Sequence, residues 1–183
     1  MSDFPTLARA RPPAPVHPAV TSAPTASRFI LRGPPAAMTA AASALGLDWS
    51  GEACRAAAGP SAVALWLGPD ETLLLLPEGA DLTAPAQLSA ALDGLTYALV
   101  DVSHRQTGLL ISGSDAEALL ATSCPLDLHP PRFPVGMCTR TVFAKCEIVL
   151  WRTAPDRFHL EVWRSFRAYV LGLLEQAGQE FPG

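Results

Sequence analysis

Prolines restrict which parts of this chain can form regular structure. Six of its 18 prolines fall within residues 1–27, among many Ala, Ser and Thr residues. A proline ring fixes φ and removes a backbone donor, which excludes a helix or a central strand from this stretch. We therefore predict an arm over residues 1–27, either disordered or extended along a partner. A single folded domain is expected over residues 28–183.

Beyond the arm, short apolar runs alternate with short helical patterns. They predict a strand at 28–31, a helix at 36–45, strands at 61–67 and 72–76, and a helix at 85–92. The four residues from Gly68 to Glu71 suit a tight reversal, so the strands on either side of them form a hairpin. Both hairpin strands are apolar on both faces, which is typical of a sheet covered on each side.

The second half of the chain begins with a strand–turn–strand pattern. Residues 97–102 and 107–112 predict two strands of one unit, joined by a polar turn at 103–106. Ser114 and Glu117 have capping-box spacing and predict the start of a helix. An anion site at this helix start is the weaker interpretation, because the carboxylates of the first turn would repel an anion.

Three more strands and a final helix complete the pattern. The strands are predicted at 139–143, 147–151 and 157–163, and the helix at 165–177. The apolar stripe of this helix contains Phe166, Tyr169, Val170, Leu173, Leu174 and Ala177. Neighbouring hairpins with intermittent helices predict an α+β fold, with a mainly antiparallel sheet and helices packed on it.

Composition and charge exclude several classes of function. The net charge is −4 and no basic run occurs, so nucleic acid is not an expected partner. No apolar run approaches the about 20 residues of a membrane helix. Prolines interrupt the N-terminus where a signal peptide needs a continuous apolar stretch, which predicts a cytoplasmic protein without membrane contact.

The composition also bears on how apolar the surface is and on the state of the cysteines. Only 16% of the residues are charged and 49% are hydrophobic, which indicates either a surface hidden against partners or a count raised by abundant Ala. The cysteines are Cys54, Cys124, Cys138 and Cys146. Without metal-site spacing, they are expected to be reduced thiols.

Several sequence blocks resemble one known family. The blocks are Asp101–Gln106 leading into Leu109–Gly113, Cys124–Leu128, Phe133–Thr141, Leu150–Arg152 and Glu161–Phe166. In order and spacing they resemble the sarcosine oxidase gamma-subunit family across residues 97–178, and more loosely from residue 28. The wider fold relation is to the glycine-cleavage T-protein, a folate-binding fold.

This resemblance implies a non-catalytic gamma subunit of a heterotetrameric sarcosine oxidase. The complex oxidatively demethylates sarcosine to glycine, with formation of hydrogen peroxide and 5,10-methylenetetrahydrofolate. The implied partners are alpha, beta and delta subunits, which would carry FAD, FMN, NAD and tetrahydrofolate. No catalytic, cofactor or metal residue is implied in this chain. The alternative is a stand-alone folate-binding one-carbon protein of the T-protein type.

Polar and aromatic residues in the second half are candidates for contact with other subunits. Arg and Trp dominate known interface hot spots. The candidates are His104, Arg105, His129, Arg132, Arg140, Trp151, Arg152, Trp163 and Arg164. Ordinary surface ion pairs are the competing interpretation of these arginines. His129 and Arg132 lie in a proline-rich connection over residues 126–137, which is either a pre-ordered contact loop or a passive crossover.

Two of these positions allow sharper expectations. His104 is either a general base oriented by Asp101 or part of a hydrogen-bonded corner, and the corner is favoured because no nucleophile lies nearby in sequence. In the strand at 157–163, Phe158, Leu160 and Val162 are predicted to face the core, whereas His159, Glu161 and Trp163 face outward. An outward Trp163 needs cover from the last helix or from another subunit.

Overall fold

Two five-stranded antiparallel sheets form the framework of the protein. The structure is a computed structural model and describes residues 19–181. These residues divide into two compact units, residues 25–104 and residues 19–24 with 105–181. Each unit contains one sheet and two helices. The predicted α+β class with mainly antiparallel sheet is confirmed.

The elements follow one another in this order along the chain. They are β1 (Ala19–Ser22), β2 (Ala26–Arg32), α1 (Pro35–Ala44), β3 (Ala56–Ala58), β4 (Val63–Gly68), β5 (Glu71–Pro77), α2 (Ala84–Ala91), β6 (Ala98–Asp101), β7 (Gln106–Ser112), α3 (Ala116–Ala121), β8 (Cys138–Phe143), β9 (Cys146–Ala154), β10 (Arg157–Trp163) and α4 (Arg167–Gly178). Short 3-10 turns at Ala80–Leu82 and Arg164–Phe166 precede α2 and α4.

The first unit is built around the predicted hairpin. Its strand order is β3-β4-β5-β2-β6. Phe29 and Leu31 of β2 pack in one cluster with Met38 of α1 and Leu88 of α2. Leu73, Leu74, Leu75 and Leu76 of β5 are all buried, which confirms that both faces of this hairpin strand are covered. Burying one such side chain contributes about 1.5–3 kcal/mol, so the hairpin is a main source of stability.

The second unit places both of its helices against one face of its sheet. The strand order is β1-β7-β10-β9-β8. Phe158, Leu160 and Val162 of β10 are fully buried in one cluster with Leu120 of α3 and Val170 of α4. The prediction that this set faces the core is therefore confirmed.

The opposite face of β10 differs from the prediction. His159 and Glu161 are 1% and 0% exposed, so the expectation that they face outward is wrong. The His159 Nε2 and Glu161 Oε1 atoms lie 2.7 Å apart, and this hydrogen bond reduces the penalty of burying two polar groups. Of the three residues predicted to face outward, Trp163 alone is exposed.

The two strands predicted as one unit after residue 96 are both present, but they lie in different sheets. β6 pairs with β2 in the first sheet, whereas β7 lies between β1 and β10 in the second. Val102 N–H still donates to the Arg28 carbonyl at 2.8 Å, and the chain then turns before Gln106 pairs with Trp163. Alternation predicts strands correctly but does not identify their partners.

The capping box predicted at Ser114 and Glu117 is not formed. Asp115 occupies the N-cap of α3, and no side chain bonds to a backbone N–H there. The Glu117 carboxylate instead accepts a hydrogen bond from Arg152 Nη2 at 3.1 Å. A tertiary ion pair has therefore replaced the local cap that the spacing suggested.

Part of the predicted N-terminal arm is a strand. Ala19–Ser22 pairs along β7 as β1, an edge strand, which is where a proline-rich segment can enter a sheet. Residues 1–18 of the arm lie outside the described residues. The boundary at residue 27 and the single domain beyond it stay predictions. Between residues 19 and 181, no helix has both the length and the apolar character that a membrane crossing requires.

Close packing at Gly108 gives a test of the second unit. A Cβ on Gly108 would lie 2.8 Å from the Ala23 Cβ and 2.9 Å from the Glu161 Oε1. We expect Gly108→Ala to lower the free energy of unfolding by about 1–3 kcal/mol, because the β1–β7 packing must shift. Gly172→Ala is the matched control, since nothing lies within 4 Å of that position. Its effect should be neutral or stabilising by up to about 1 kcal/mol in α4. Urea denaturation measures both, and equal values would contradict this packing.

Candidate subunit interface

An exposed group of aromatic and arginine side chains surrounds the junction of β10 and α4. Trp163, Phe166 and Tyr169 are 41%, 41% and 42% exposed. We call this group the aromatic–arginine patch; it comprises Arg105, Trp163, Arg164, Phe166, Arg167 and Tyr169. Large aromatic side chains with this exposure mark contact surfaces more often than ordinary solvent-facing positions.

Backbone pairing brings the two halves of the patch together. Trp163 lies opposite Gln106 in the β7–β10 register, so Arg105 comes next to the end of β10. The Arg164 N–H donates to the Arg105 carbonyl at 2.7 Å. The Arg105 guanidinium lies 5.4 Å from the centre of the Trp163 ring, and the Phe166 ring centre lies 6.3 Å from that of Trp163. A cation–π contact of this kind at an exposed site contributes about 0.5–1 kcal/mol.

Sequence reasoning missed three members of the patch. Phe166 and Tyr169 were predicted on the inward stripe of the last helix, but that stripe buries Val170 and Leu174 instead. The helical period was right, but Phe166 belongs to the short 3-10 turn before α4, and the buried stripe of α4 is narrower than the apolar spacing indicated. Arg167 donates to Ser22 Oγ at 2.7 Å, a contact across 145 positions that no local pattern reveals.

The turn that contains His104 has the geometry of a hydrogen-bonded corner. The Asp101 carboxylate accepts from the Ser103 N–H at 2.8 Å, and Ser103 Oγ accepts from the Arg28 N–H at 2.8 Å. Hydrogen bonds from the side chain and the backbone of Ser103 to the Asp101 carboxylate, with a smaller contribution from the charge of His104, lower the pKa of Asp101 below its ordinary value. The exposed His104 makes no hydrogen bond with Asp101. The arrangement therefore favours the corner over a general base.

Two predicted interface residues are inside the protein. Trp151 and Arg152 are only 3% and 2% exposed, so their side chains are not part of the surface of this chain. The strand pattern did not reveal this, because both faces of β9 are buried at this point. Trp151 lies opposite His159, with ring centres 6.1 Å apart.

The buried side chain of Arg152 holds the proline-rich connection by hydrogen bonds. Its Nη1 donates to the carbonyl oxygens of Leu128 and Phe133 at 2.7 and 3.0 Å. Its Nη2 donates to the Pro155 carbonyl at 2.6 Å and to the Glu117 carboxylate at 3.1 Å. The connection is thus fixed at two points, which supports a pre-ordered loop.

The remaining candidates are exposed. His129 and Arg132 lie on the loop that Arg152 holds, and the His129 N–H donates to Asp127 Oδ1 at 3.0 Å. Arg140 on β8 lies 3.7 Å from the Glu147 carboxylate on β9, an exposed ion pair of little energetic weight.

All four cysteines are free thiols, and Cys124, Cys138 and Cys146 are buried. Burial raises the pKa of the Cys124 and Cys146 thiols, which disfavours the reactive thiolate. Among residues 19–181, no group of three or more His, Cys, Asp and Glu side chains has the arrangement of a metal site.

Arg152 can be tested by substitution. We expect Arg152→Met to lower the free energy of unfolding by about 3–5 kcal/mol, because three carbonyl oxygens and a carboxylate lose their donor. Glu117→Gln is the control: the side chain is 34% exposed and keeps an acceptor oxygen, so its effect should stay below about 1 kcal/mol. Chemical denaturation measures both. Equal effects would show that the carbonyl contacts contribute nothing.

The lowered pKa of Asp101 predicts a pH-dependent contribution to stability. The ionised carboxylate stabilises the folded state above the ordinary aspartate pKa, and this contribution is lost as the pH falls through the lower folded-state value. The difference in free energy of unfolding between wild type and Asp101→Asn should therefore be constant near neutral pH and vanish in acid. Asp93→Asn is the control, because Asp93 is exposed and makes no hydrogen bond. A difference that grows in acid would contradict this sign.

Comparison with known proteins gives the family of the chain. The model of the sarcosine oxidase, gamma subunit family matches residues 32–180. The sarcosine oxidase subunit gamma from Corynebacterium sp. (strain P-1) is 39% identical over 117 residues, which are 64% of this chain. The match spans 57% of the length of that relative.

Solved structures agree with this relation. A chain of the heterotetrameric sarcosine oxidase from Corynebacterium sp. U-96, in complex with pyrrole 2-carboxylate, has a TM-score of 0.83 and 28% identity. The match covers 91% of this chain and 86% of that one. The glycine cleavage system aminomethyltransferase T from Bartonella henselae has a TM-score of 0.65 at 14% identity, over 86% of this chain and 45% of its own. This second likeness shows the T-protein-like fold alone. The chain belongs to the sarcosine oxidase gamma subunit family.

Proposed function

We propose that this chain is the non-catalytic gamma subunit of a heterotetrameric sarcosine oxidase and supports assembly of the complex. The observation that carries the proposal is the likeness to a chain of the Corynebacterium sp. U-96 oxidase over 91% of the present chain. A fold that matches over nearly its whole described length is suited to the same place in a similar assembly. The complex would demethylate sarcosine to glycine oxidatively, forming hydrogen peroxide and 5,10-methylenetetrahydrofolate.

The partners proposed are the alpha, beta and delta subunits, in the cytoplasm. These subunits would hold FAD, FMN, NAD and tetrahydrofolate. The gamma chain would provide contact surfaces for them. The polar corner at Asp101 supports this division, because its side chains accept hydrogen bonds from the backbone of the chain.

The surface of the chain supports a role in contact. Trp163, Phe166 and Tyr169 are exposed within seven consecutive positions where β10 leads into α4. His129 and Arg132 lie on a loop that the buried Arg152 has already ordered. A pre-ordered loop loses less conformational entropy on docking than a free one. These two areas, with His104, Arg105, Arg140 and Arg164, form the proposed subunit contacts.

Co-expression tests the proposal directly. We expect the tagged gamma chain, expressed with alpha, beta and delta, to recover all three in a defined ratio by native mass spectrometry. The recovered material should show flavin absorbance and sarcosine-dependent oxygen consumption. Omission of the gamma chain should reduce the amount of assembled oxidase. Recovery of the gamma chain alone, or full assembly and activity without it, would contradict the proposal.

A further inference from the structure

The aromatic–arginine patch has an unbalanced charge. Arg105, Arg164 and Arg167 contribute three cations, and none has a carboxylate partner within the described residues 19–181. Other arginines of the chain do have one: Arg32 pairs with Asp70, and Arg140 with Glu147. The chain as a whole carries a net charge of −4, so the local positive excess runs against its overall sign.

Exposed aromatic area is concentrated in the same place. Seven large hydrophobic side chains of the described residues are exposed, and the three aromatic ones are Trp163, Phe166 and Tyr169. They lie within seven consecutive positions, at the end of β10 and the start of α4. Aromatic rings next to guanidinium groups are the residue combination that dominates binding energy in protein interfaces.

The geometry of Arg105 favours carboxylate binding. Its guanidinium carbon lies 5.4 Å from the centre of the Trp163 ring, which limits the motion of the side chain. A guanidinium held on an aromatic face keeps its N–H edges available, and these edges match the two oxygens of a carboxylate. Arg167 is restrained in a similar way by its hydrogen bond to Ser22 Oγ at 2.7 Å.

We propose that the aromatic–arginine patch binds an acidic segment of another subunit of the oxidase. Arg105, Arg164 and Arg167 would pair with its carboxylates, and the three aromatic rings would cover its apolar side chains. This inference rests on the proposed function. It adds which surface of this chain makes the contact and which chemistry the partner segment has. Charge complementarity identifies the occupant: a neutral surface would offer no counter-charge to three guanidinium groups in a desolvated interface, and a basic surface would repel them.

Charge reversal in the co-expressed complex tests the inference. We expect the double variant Arg105→Glu/Arg164→Glu to reduce recovery of the assembled oxidase by at least about tenfold, because attraction becomes repulsion. Arg55→Glu is the matched control; this side chain is 39% exposed in the first unit and should leave recovery unchanged. Arg164→Glu alone is a second variant; the Arg164 side chain makes no hydrogen bond or ion pair within residues 19–181, so we expect this variant to fold. The wild-type complex should also dissociate more readily as salt screens the charges.

The outcomes separate this inference from the proposed function. Assembly of wild type and double variant to the same extent, without salt dependence, overturns the inference and leaves the proposed function standing. Failure of the wild-type chain to assemble overturns the proposed function itself. If the isolated chain forms a dimer that the double variant disrupts, the occupant is a second copy and the inference is wrong. Loss of assembly in the double variant and in Arg164→Glu, with the control intact, supports it.

Discussion

The buried guanidinium of Arg152 joins three parts of the second unit that are distant in sequence. It donates to the proline-rich connection at Leu128 and Phe133, to the turn after β9 at Pro155, and to Glu117 on α3. Taking a charge out of water is unfavourable, and only a nearly complete set of acceptors compensates for it. The position of the connection, and of the exposed residues on it, therefore depends on this side chain together with the buried Leu128 and Phe133.

The other exposed surface depends on strand register rather than on a buried charge. Pairing of Trp163 with Gln106 places Arg105 beside the end of β10, and α4 begins after one short turn. A shift of one residue would direct Trp163 into the core and Val162 outward, which the buried cluster around Val162 prevents. The core thus determines which aromatic and cationic groups reach the surface. The proposed role in assembly follows from this packing.

Several features were predictable from the sequence because they depend on neighbours along the chain. The β4–β5 hairpin and the strands β8 to β10 follow from apolar runs and turn residues. The core face of β10 follows from alternation, and the family follows from sequence blocks whose order and spacing are readable directly. Predictions from local sequence patterns were wrong where a residue distant in sequence offered a competing interaction. Glu117 accepts a hydrogen bond from the buried Arg152 guanidinium instead of completing a capping box, because a buried cation left without acceptors costs more than one missing N-cap hydrogen bond.

The sequence by itself determined the α+β class, most elements and the residue types available for contact, since periodicity and turn chemistry act over a few residues. Only the tertiary structure decided which of those residues are exposed. It buried Trp151, Arg152, His159 and Glu161 and exposed Phe166 and Tyr169, and it assigned β6 and β7 to different sheets. The physical reason is that exposure and strand pairing depend on segments far away in the chain, whose arrangement no local pattern encodes.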